Sequence, residues 1–311
     1  MAIVHELSWS SSRDGNFQEC RRRYYVDYYL SWLGWGKGAP KARQNAYLLK
    51  KMTRMPMLAG DLVHQAIQRY IEAKREGQLI DLATSQAWAV GELRAAYKTS
   101  RDGGWRMRPS KLTHFAEHHY EEACIDEKTA AAGEYGGRYK QRIEQCLANF
   151  YESPKLAAVR NAQPASFLAC EDLSTFPLFE TKVYAVPDFA FRADDGSVQV
   201  YDWKTGRENE RDRFQLAVYT EYAVAQWGAR PEDVHCMDVY LGDGKIVEQT
   251  FDAQQRADLR ERIETSISGM RAVHFDADRG VGDPEAFPKV DADSAGARAC
   301  GTCNYRELCD R

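Results

Sequence analysis

Two aspartates and a lysine in a predicted β-hairpin are the residues best suited to carry out chemistry. Residues 182–206 read KVYAVPDFAFRADDGSVQVYDWKTG, and Gly196 in the left-handed position predicts a three-residue hairpin loop. That register places Asp188 opposite Asp202, with Lys204 on the same face as Asp202. Two facing carboxylates repel each other, and hard oxygen ligands suit Mg²⁺ or Mn²⁺. The hairpin therefore predicts a divalent-cation site.

The neighbours of these aspartates, Phe189 and Tyr201 among them, are apolar. They favour two central strands over edge strands whose charges face water. A bound cation can polarise a phosphoryl oxygen and make a bound water more nucleophilic. Lys204 can hold and help deprotonate that water, or neutralise charge that develops on the phosphate. The alternative is an ion pair of Lys204 with Asp188 or Asp202 that has no catalytic role.

Three further polar side chains lie on predicted helices. Gln215 and Tyr219 are four residues apart and therefore share one helix face. They can orient Lys204 or contact a substrate backbone, or they can simply cover a core face. His64 lies on the apolar face of its helix, in the string GDLVH, where a lone histidine is usually a core residue.

Four cysteines, split between the two ends of the chain, form a second candidate site. Cys20 belongs to an aromatic and basic segment, while Cys300, Cys303 and Cys309 stand in the string CGTCNYRELC. Four thiolates with this spacing can close a tetrahedral site that ties the two ends together, and the spacing suits zinc and iron–sulfur clusters alike. The scattered cysteines are predicted to be buried apolar residues: Cys124, Cys146, Cys170 and Cys236.

A third metal-compatible set is weaker. His114, Glu117 and His118 follow an i, i+3, i+4 pattern on a predicted helix. They lack the H-E-x-x-H order of zinc proteases, so we interpret them as a polar helix face. A zinc protein with an unrelated role remains the alternative that they represent.

The elements that must position these residues follow from local periodicity. The GKG within the loop at 34–45 lacks the G-x4-G-K-[ST] spacing, so no ATPase motor is predicted. Residues 81–160 are polar and mostly helical, and we expect a helical insertion or lid there. The remaining predicted helices span 14–33, 57–76, 209–228 and 253–272; strands fill 167–204, 234–241 and 245–251; and a linker at 278–299 leads to the cysteine tail.

Composition places the chain among soluble globular proteins. It has 311 residues, of which 44% are hydrophobic, and a net charge of −4. We expect no membrane span and no signal peptide, and hence a cytoplasmic protein. The charge argues against a uniformly basic coat for nucleic acid. Arginines among tyrosines at 21–23 and the basic segment at 101–111 can nevertheless neutralise a DNA backbone and stack on bases.

Taken in order, the motifs GDLVH, VPD, DWKTG and QLAVY resemble the RecB-like branch of the PD-(D/E)XK nucleases. The resemblance implies an α/β, restriction-endonuclease-like fold, a mixed central sheet flanked by helices. It makes His64, Asp188 and Asp202 the metal ligands and Lys204 the catalytic lysine. Gln215 and Tyr219 take the positions of the family's helix-borne glutamine and tyrosine. Two features depart from the family pattern: a glycine expected shortly before Asp188 is missing, and Asp202 stands where many superfamily members carry glutamate.

The cysteines are similar to those of the iron–sulfur subgroup, which includes CRISPR-adaptation exonucleases and the AddB nuclease module. The resemblance implies a [4Fe–4S] cluster on Cys20, Cys300, Cys303 and Cys309 that staples the termini. It also implies one nuclease domain over residues 1–311, with the helical insertion at 81–160. The iron–sulfur region would comprise position 20 and residues 296–311.

The activity implied by the resemblance is a Mg²⁺- or Mn²⁺-dependent deoxyribonuclease. We expect an exonuclease that acts on single-stranded DNA or DNA ends. Its implied partners, besides DNA, are DNA-processing proteins such as a helicase or CRISPR-adaptation proteins. The alternative is a catalytically silent DNA-binding or scaffold subunit that kept the fold and the cluster.

Overall fold

The computed structural model describes residues 4–106, 111–126, 128, 130–273, 275–291 and 294–309. The helices are α1 (Ser11–Glu19), α2 (Arg21–Tyr25), α3 (Lys41–Lys50), α4 (Met55–Arg75), α5 (Leu82–Arg101), α6 (Ala116–His119), α7 (Ala130–Glu152), α8 (Ala157–Asn161), α9 (Glu210–Trp227) and α10 (Ala253–Ala272). The strands are β1 (Ser8–Trp9), β2 (Phe167–Ala169), β3 (Ser174–Leu178), β4 (Thr181–Ala185), β5 (Phe189–Arg192), β6 (Val198–Lys204), β7 (Val234–Tyr240) and β8 (Lys245–Gln249).

Short helical turns complete the chain. A π-helical turn spans Val26–Leu30, directly after α2. The 3₁₀ turns span Gly104–Arg106, Ala123–Ile125, Pro154–Leu156, Pro164–Ser166, Pro231–Asp233, Pro284–Ala286, Ala295–Thr302 and Arg306–Leu308.

The strands form two mixed sheets. The larger has the order β2-β5-β6-β7-β8, in which only the β6–β7 pair is parallel. Helix α9 makes the crossover between those two strands, as parallel neighbours require. The smaller sheet has the order β1-β4-β3. Mixed sheets flanked by helices confirm the predicted α/β class.

Helices cover both faces of the larger sheet, and β6 alternates between them. Val200 packs in the cluster that includes Leu216 of α9 and Ile263 of α10. Trp203 packs in the cluster built by α4, α5 and α7, which includes Ile67. Because side chains alternate along a strand, Asp202 emerges on the α9 side. The sheet therefore carries its carboxylate on the face where α9 lies.

Most predicted elements are confirmed to within two or three residues at their ends. The helix expected at 57–76 is Met55–Arg75, and the one expected at 253–272 is Ala253–Ala272. The region 81–160 is mostly helical in its described residues, as predicted. No helix in the described part of the chain is both long and apolar enough to cross a membrane.

Two local predictions are wrong. The helix expected at 14–33 breaks at Cys20, which is extended with φ −158°. The cysteine instead caps α2, since its sulfur accepts a hydrogen bond from the backbone N–H of Arg23 at 3.4 Å. The loop expected at 34–45 ends early, because α3 begins at Lys41, directly after Pro40. A proline at that point suits the start of a helix, where its missing N–H costs nothing.

Candidate active site

The predicted hairpin has the predicted register. Phe189 pairs with Tyr201 and Ala190 with Val200, and Gly196 in the loop has φ +87°. One further step along this register sets Asp188 opposite Asp202. The carboxylate of Asp188 is tied to β6, since its Oδ2 accepts a hydrogen bond from the N–H of Trp203 at 2.5 Å. Both aspartates are buried, with 6% and 3% of their surface exposed.

A histidine and two carboxylates meet at the mouth of this hairpin. His64 Nδ1 lies 3.1 Å from Glu171 Oε1 and 3.3 Å from Asp188 Oδ1. One ligand atom from each of the three residues lies within 4.8 Å of the others. An imidazole nitrogen with carboxylate oxygens is a donor set that Mn²⁺ and related divalent ions accept. The residues therefore fit the predicted cation.

Helix α4 brings His64 to the sheet through a close approach one turn earlier. A Cβ on Gly60 would lie 2.8 Å from Thr205 Oγ1, just beyond the end of β6. Glycine therefore lets the helix pack against this strand end. At the start of the helix, the N–H of Met55 donates to Glu117 Oε1 at 2.9 Å. The first contact sets how close α4, and with it His64, comes to the end of β6; the second anchors the start of α4.

Carboxylates surround the ammonium group of Lys204. The group forms an ion pair with Asp202 and lies 3.7 Å from Asp212 Oδ1 and 3.9 Å from Asp238 Oδ1. It also donates a hydrogen bond to Gln215 Oε1 at 3.0 Å. Burial opposes protonation, but the carboxylates, Asp202 first, hold the pKa of Lys204 above its ordinary value. In this arrangement Lys204 is a cationic hydrogen-bond donor.

Gln215 and Tyr219 hold Asp202 in place. Gln215 Nε2 donates to Asp202 Oδ1 at 3.2 Å and to the Tyr219 hydroxyl at 2.7 Å. That hydroxyl lies 2.8 Å from the carbonyl oxygen of Val186 and 3.2 Å from Asp202 Oδ1. Of the three interpretations open from sequence, this geometry supports the orienting one: Gln215 contacts Lys204, and Gln215 and Tyr219 both hold Asp202. Asp202 itself turns toward Lys204 and α9, so it lies beside the His64 group rather than within it.

Sequence reasoning missed Glu171. It follows β2 with φ +54°, and its N–H lies 3.2 Å from the carbonyl oxygens of both Pro187 and Asp188. These backbone hydrogen bonds hold Glu171 next to the segment that carries Asp188. An acidic pair directly after a short apolar strand was the available signal, but only the fold shows that it faces His64.

Sequence reasoning also missed Asp238. It lies on β7 in register with Asp202 and is buried. Its Oδ1 has no hydrogen-bond partner among the described residues, and Lys204 is the cation near it. Burial first, and the charge of Asp202 second, raise the pKa of Asp238 to about 7. An acid inside an otherwise apolar strand was the signal, the same one that marked Asp202.

Protons compete with a cation for the His64 group. Burial raises the pKa of Asp188 to about 7, with His64 opposing the shift and Asp202 adding to it. Burial disfavours protonation of His64, yet Asp188 and Glu171 raise its pKa well above the ordinary value. Because the pKa values of Asp188 and His64 are both raised, a cation must displace protons from these two residues in order to bind.

The site opens into a cleft of about 1080 Å³. Its floor is acidic, while arginines line its walls: Arg13, Arg23, Arg211 and Arg262. The Arg13 guanidinium lies 4.5 Å from the ring centroid of Tyr28, which also lines the cleft. A cleft with basic walls and an acidic floor can hold a phosphate backbone above a cation.

The four predicted cysteine ligands line one small cavity of about 30 Å³. Cys20 reaches it from the gap between α1 and α2, and Cys300, Cys303 and Cys309 from the tail. All four are free thiols. The cavity also contacts Arg23, which lines the acidic cleft as well. This donor set is one that zinc sites and iron–sulfur clusters share.

Three of the scattered cysteines are buried as predicted: Cys146, Cys170 and Cys236. The fourth prediction is wrong, because Cys124 is partly exposed. It lies on the 3₁₀ turn Ala123–Ile125, between α6 and α7.

The histidine-rich helix is not the polar face that the sequence suggested. His114 is buried against the ring of Trp105, and the buried Glu117 accepts a hydrogen bond from Tyr135 at 2.9 Å. His118 Nδ1 lies 2.8 Å from Ser100 Oγ. These side chains serve packing and capping, and among the described residues they do not form a group of three facing ligands.

The predicted basic patches are partly paired. Arg22 lies 3.3 Å from Glu285 and Arg23 the same distance from Glu19. Arg101 lies 3.0 Å from Asp102. Residues 107–110 of the second patch lie outside the described residues.

Comparison with known protein families identifies the superfamily to which this chain belongs. No curated protein matches the chain. Among solved structures, the crystal structure of SSO0001 aligns at 16% identity with a TM-score of 0.27, covering 57% of this chain and 79% of that one. The model of the PD-(D/E)XK nuclease superfamily matches residues 8–310. The chain therefore belongs to the PD-(D/E)XK nuclease superfamily.

Proposed function

We propose that this chain is a Mg²⁺- or Mn²⁺-dependent exonuclease that hydrolyses phosphodiester bonds of single-stranded DNA or DNA ends. The superfamily assignment supplies the nuclease activity and DNA as the substrate. The observation that carries the proposal is one cleft in which His64, Glu171 and Asp188 meet beside Asp202 and Lys204.

The cation would be held by His64, Glu171 and Asp188, with Asp202 at its side. When bound, it supplies Lewis-acid polarisation of the phosphoryl oxygen and a more nucleophilic water. The buried carboxylates of Asp188 and Asp202 face each other across two strands, which favours positive charge between them. Supporting this assignment, the donor set combines hard oxygens with one imidazole nitrogen.

Lys204 neutralises negative charge that develops on the phosphate. Its ammonium group is held by Asp202 and Gln215, so it points into the cleft without having to be ordered during the reaction. The neighbouring carboxylates favour the protonated form, which supports a role as cationic donor over a role as proton acceptor. Gln215 and Tyr219 act through Asp202 as positioning residues.

The arginines of the cleft bind the DNA backbone. Arg13, Arg211 and Arg262 line walls above an acidic floor, where a bare polyanion would otherwise be repelled. Helix α7 of the 81–160 region contacts the end of β6, since Arg142 donates to the carbonyl oxygen of Thr205, the residue after Lys204, at 2.8 Å. That contact supports our proposal that this helical region forms a roof over a DNA end.

We assign the chain to the RecB-like iron–sulfur subgroup, with a [4Fe–4S] cluster held by Cys20, Cys300, Cys303 and Cys309. Support comes from the single cavity that these residues line and from their origin at both ends of the chain. The cluster would tie the tail to the α1–α2 segment. Its role is structural, with Arg23 lying between the cluster cavity and the cleft.

Digestion of end-labelled DNA tests the proposal. With Mn²⁺, the protein should shorten a linear single strand stepwise from one end and leave a circular single strand intact. Lys204→Ala should abolish cleavage of the linear strand, whereas Lys245→Ala, which changes an exposed lysine on β8, should cut normally. Equal cutting of the circle would overturn the exonuclease assignment. A wild-type protein that binds DNA and cuts neither substrate would instead be the catalytically silent subunit.

A further inference from the structure

A second groove, away from the acidic site, combines aromatic rings with lysines. It has a volume of about 430 Å³ and is lined by Ser31, Trp32, Trp35, Tyr47, Lys50 and Lys51. We propose that this aromatic groove binds the bases of single-stranded DNA outside the cleaved nucleotide. The inference rests on the proposed function, which makes DNA the substrate.

The rings in the groove are arranged to receive a flat ligand. Trp35 is 47% exposed. Its ring centroid lies 5.6 Å from that of Trp32 and 5.7 Å from that of Tyr47, at interplanar angles of 83° and 59°. Neither neighbour is stacked parallel to the Trp35 ring. A base can stack there whatever its identity, because every base has a π-face.

The backbone around Trp35 is built to hold it in this position. A Cβ on Gly34 would lie 2.3 Å from the carbonyl oxygen of Arg43 and 2.6 Å from Cβ of Tyr47. Only glycine permits this approach of the loop to α3. Leu33 has φ +57°, a conformation that side-chain-bearing residues rarely adopt. The indole N–H of Trp32 donates to Asp278 Oδ1 at 2.7 Å. The backbone before Trp35 and the neighbouring Trp32 ring are therefore both held in place.

Charge around the groove matches a polyanion. Residues 28–60 contain no acidic residue, although the whole chain carries a net charge of −4. The Lys51 ammonium group lies 5.4 Å from the ring centroid of Tyr47, at the wall of the groove. The same stretch contains six basic residues: Lys37, Lys41, Arg43, Lys50, Lys51 and Arg54. Two of them are ion-paired with carboxylates from outside the stretch, Lys50 with Asp27 and Arg54 with Glu122. Such a pairing of aromatic faces with phosphate-neutralising cations is typical of single-strand binding surfaces.

The groove adjoins the catalytic cleft. Lys50, in its wall, holds its ammonium group 5.2 Å from the ring centroid of Tyr28, and Tyr28 lines the cleft. Arg13 lies against the same tyrosine from within the cleft. A DNA strand that leaves the cleft past Tyr28 would meet Lys50 and then the ring of Trp35. The occupant is a single strand, because duplex bases are already stacked on each other.

Fluorescence anisotropy with a labelled oligothymidylate, without divalent cation, tests the groove. Trp35→Ala should weaken binding about tenfold. Trp35→Phe should bind within about threefold of the wild type, since it keeps a π-face. Leu79→Ala, which removes an apolar side chain that is 87% exposed elsewhere on the surface, should have no effect. Lys51→Ala should lower the salt dependence of binding by about 0.7 in log–log slope.

A second measurement separates this proposal from the nuclease assignment. Cleavage of a small chromogenic phosphodiester, too short to reach the groove, should be unchanged in Trp35→Ala. If Trp35→Ala binds the oligonucleotide like the wild type while the wild type cuts DNA, the groove proposal is overturned and the nuclease stands. If Trp35→Ala weakens binding in a protein that cuts nothing, the groove stands and the nuclease assignment fails.

Discussion

The acidic cleft and the cysteine cavity are built in opposite ways. The cleft draws its groups from regular elements in the middle of the chain, Asp202 and Lys204 from β6 and His64 from α4. The cavity draws Cys20 and the tail cysteines from the two ends, at a break between helices and in irregular turns. The geometry of the cleft thus depends on strand register. The geometry of the cavity depends on bringing the two ends of the chain together. Damage to each should have a different signature.

The hydrogen bonds within the cleft also differ from those around the cavity. Within the cleft, Asp202 is held by Gln215, Tyr219 and Lys204, so each polar group fixes another. Around the cavity, the sulfurs of Cys20 and Cys303 accept backbone N–H groups at 3.4 Å. The cleft is organised by its own side chains. The cavity would gain its order from the group that it binds.

The largest effect should come from Asp188→Asn. Loss of the carboxylate charge removes a cation ligand, so the cleavage rate should fall by about 1000-fold. Iron content and melting temperature should stay near the wild-type values, because the amide keeps the size of the side chain. Initial rates on labelled DNA measure the cleavage rate, metal analysis measures the iron content, and thermal unfolding measures the melting temperature. Asp172→Asn is the matched control, and a rate loss shared by both variants would break the distinction.

Cys303→Ser should show the reverse pattern. Loss of one sulfur ligand should release iron and lower the free energy of unfolding by about 3 kcal/mol or more. Metal analysis and thermal unfolding together measure it. Cys124→Ser, which changes a cysteine outside the cavity, should retain iron. A Cys303→Ser protein with full iron content would remove this cysteine from the proposed ligand set.

Glu171→Gln tests whether Glu171 binds the cation or only orients His64. Without this oxygen beside His64, Mn²⁺ affinity should fall about 10- to 100-fold, the range typical of groups that support a metal site. Titration calorimetry measures the affinity, and saturating Mn²⁺ should restore part of the rate. Unchanged affinity would mean that Glu171 only orients His64.

Mn²⁺ affinity should also depend on pH. The pKa of Asp188 is raised to about 7, so its proton must leave before the cation binds. Affinity should rise by roughly tenfold per unit as the pH rises toward 7, with the raised pKa of His64 adding in the same direction. Calorimetry at pH 6, 7 and 8 measures this. A flat profile would show that neither group loses a proton to the ion.

The smallest effect should come from Asp238→Asn. In the folded protein the pKa of Asp238 is raised to about 7, so between pH 4 and 7 the folded state binds a proton that the unfolded state has lost. This group therefore lowers stability as the pH rises through that window. The asparagine should raise the melting temperature at pH 8 by on the order of 3 °C, and by less at pH 5. Asp258→Asn, exposed on α10, should show no such trend.

Local signals in the sequence were sufficient for the hairpin and most helices. Gly196 and the alternating residues of β5 and β6 define a register within 25 residues, so Asp188 and Asp202 could be paired before any fold was known. Glu171 and Asp238 could not, because they meet the site through the sheet order β2-β5-β6-β7. That order depends on long-range packing. The helix break at Cys20 was not predicted, because a cysteine whose sulfur caps a helix does not change the spacing of the apolar residues.

Anomalous diffraction at the manganese edge, from crystals soaked in Mn²⁺, tests the central assignment most directly. The account predicts a peak bounded by His64 Nδ1, Glu171 Oε1 and Asp188 Oδ1, beside the Asp202–Lys204 pair, and its loss in Asp188→Asn. Ordered manganese elsewhere in the cleft with none at this position, in a protein that cuts DNA, would contradict it.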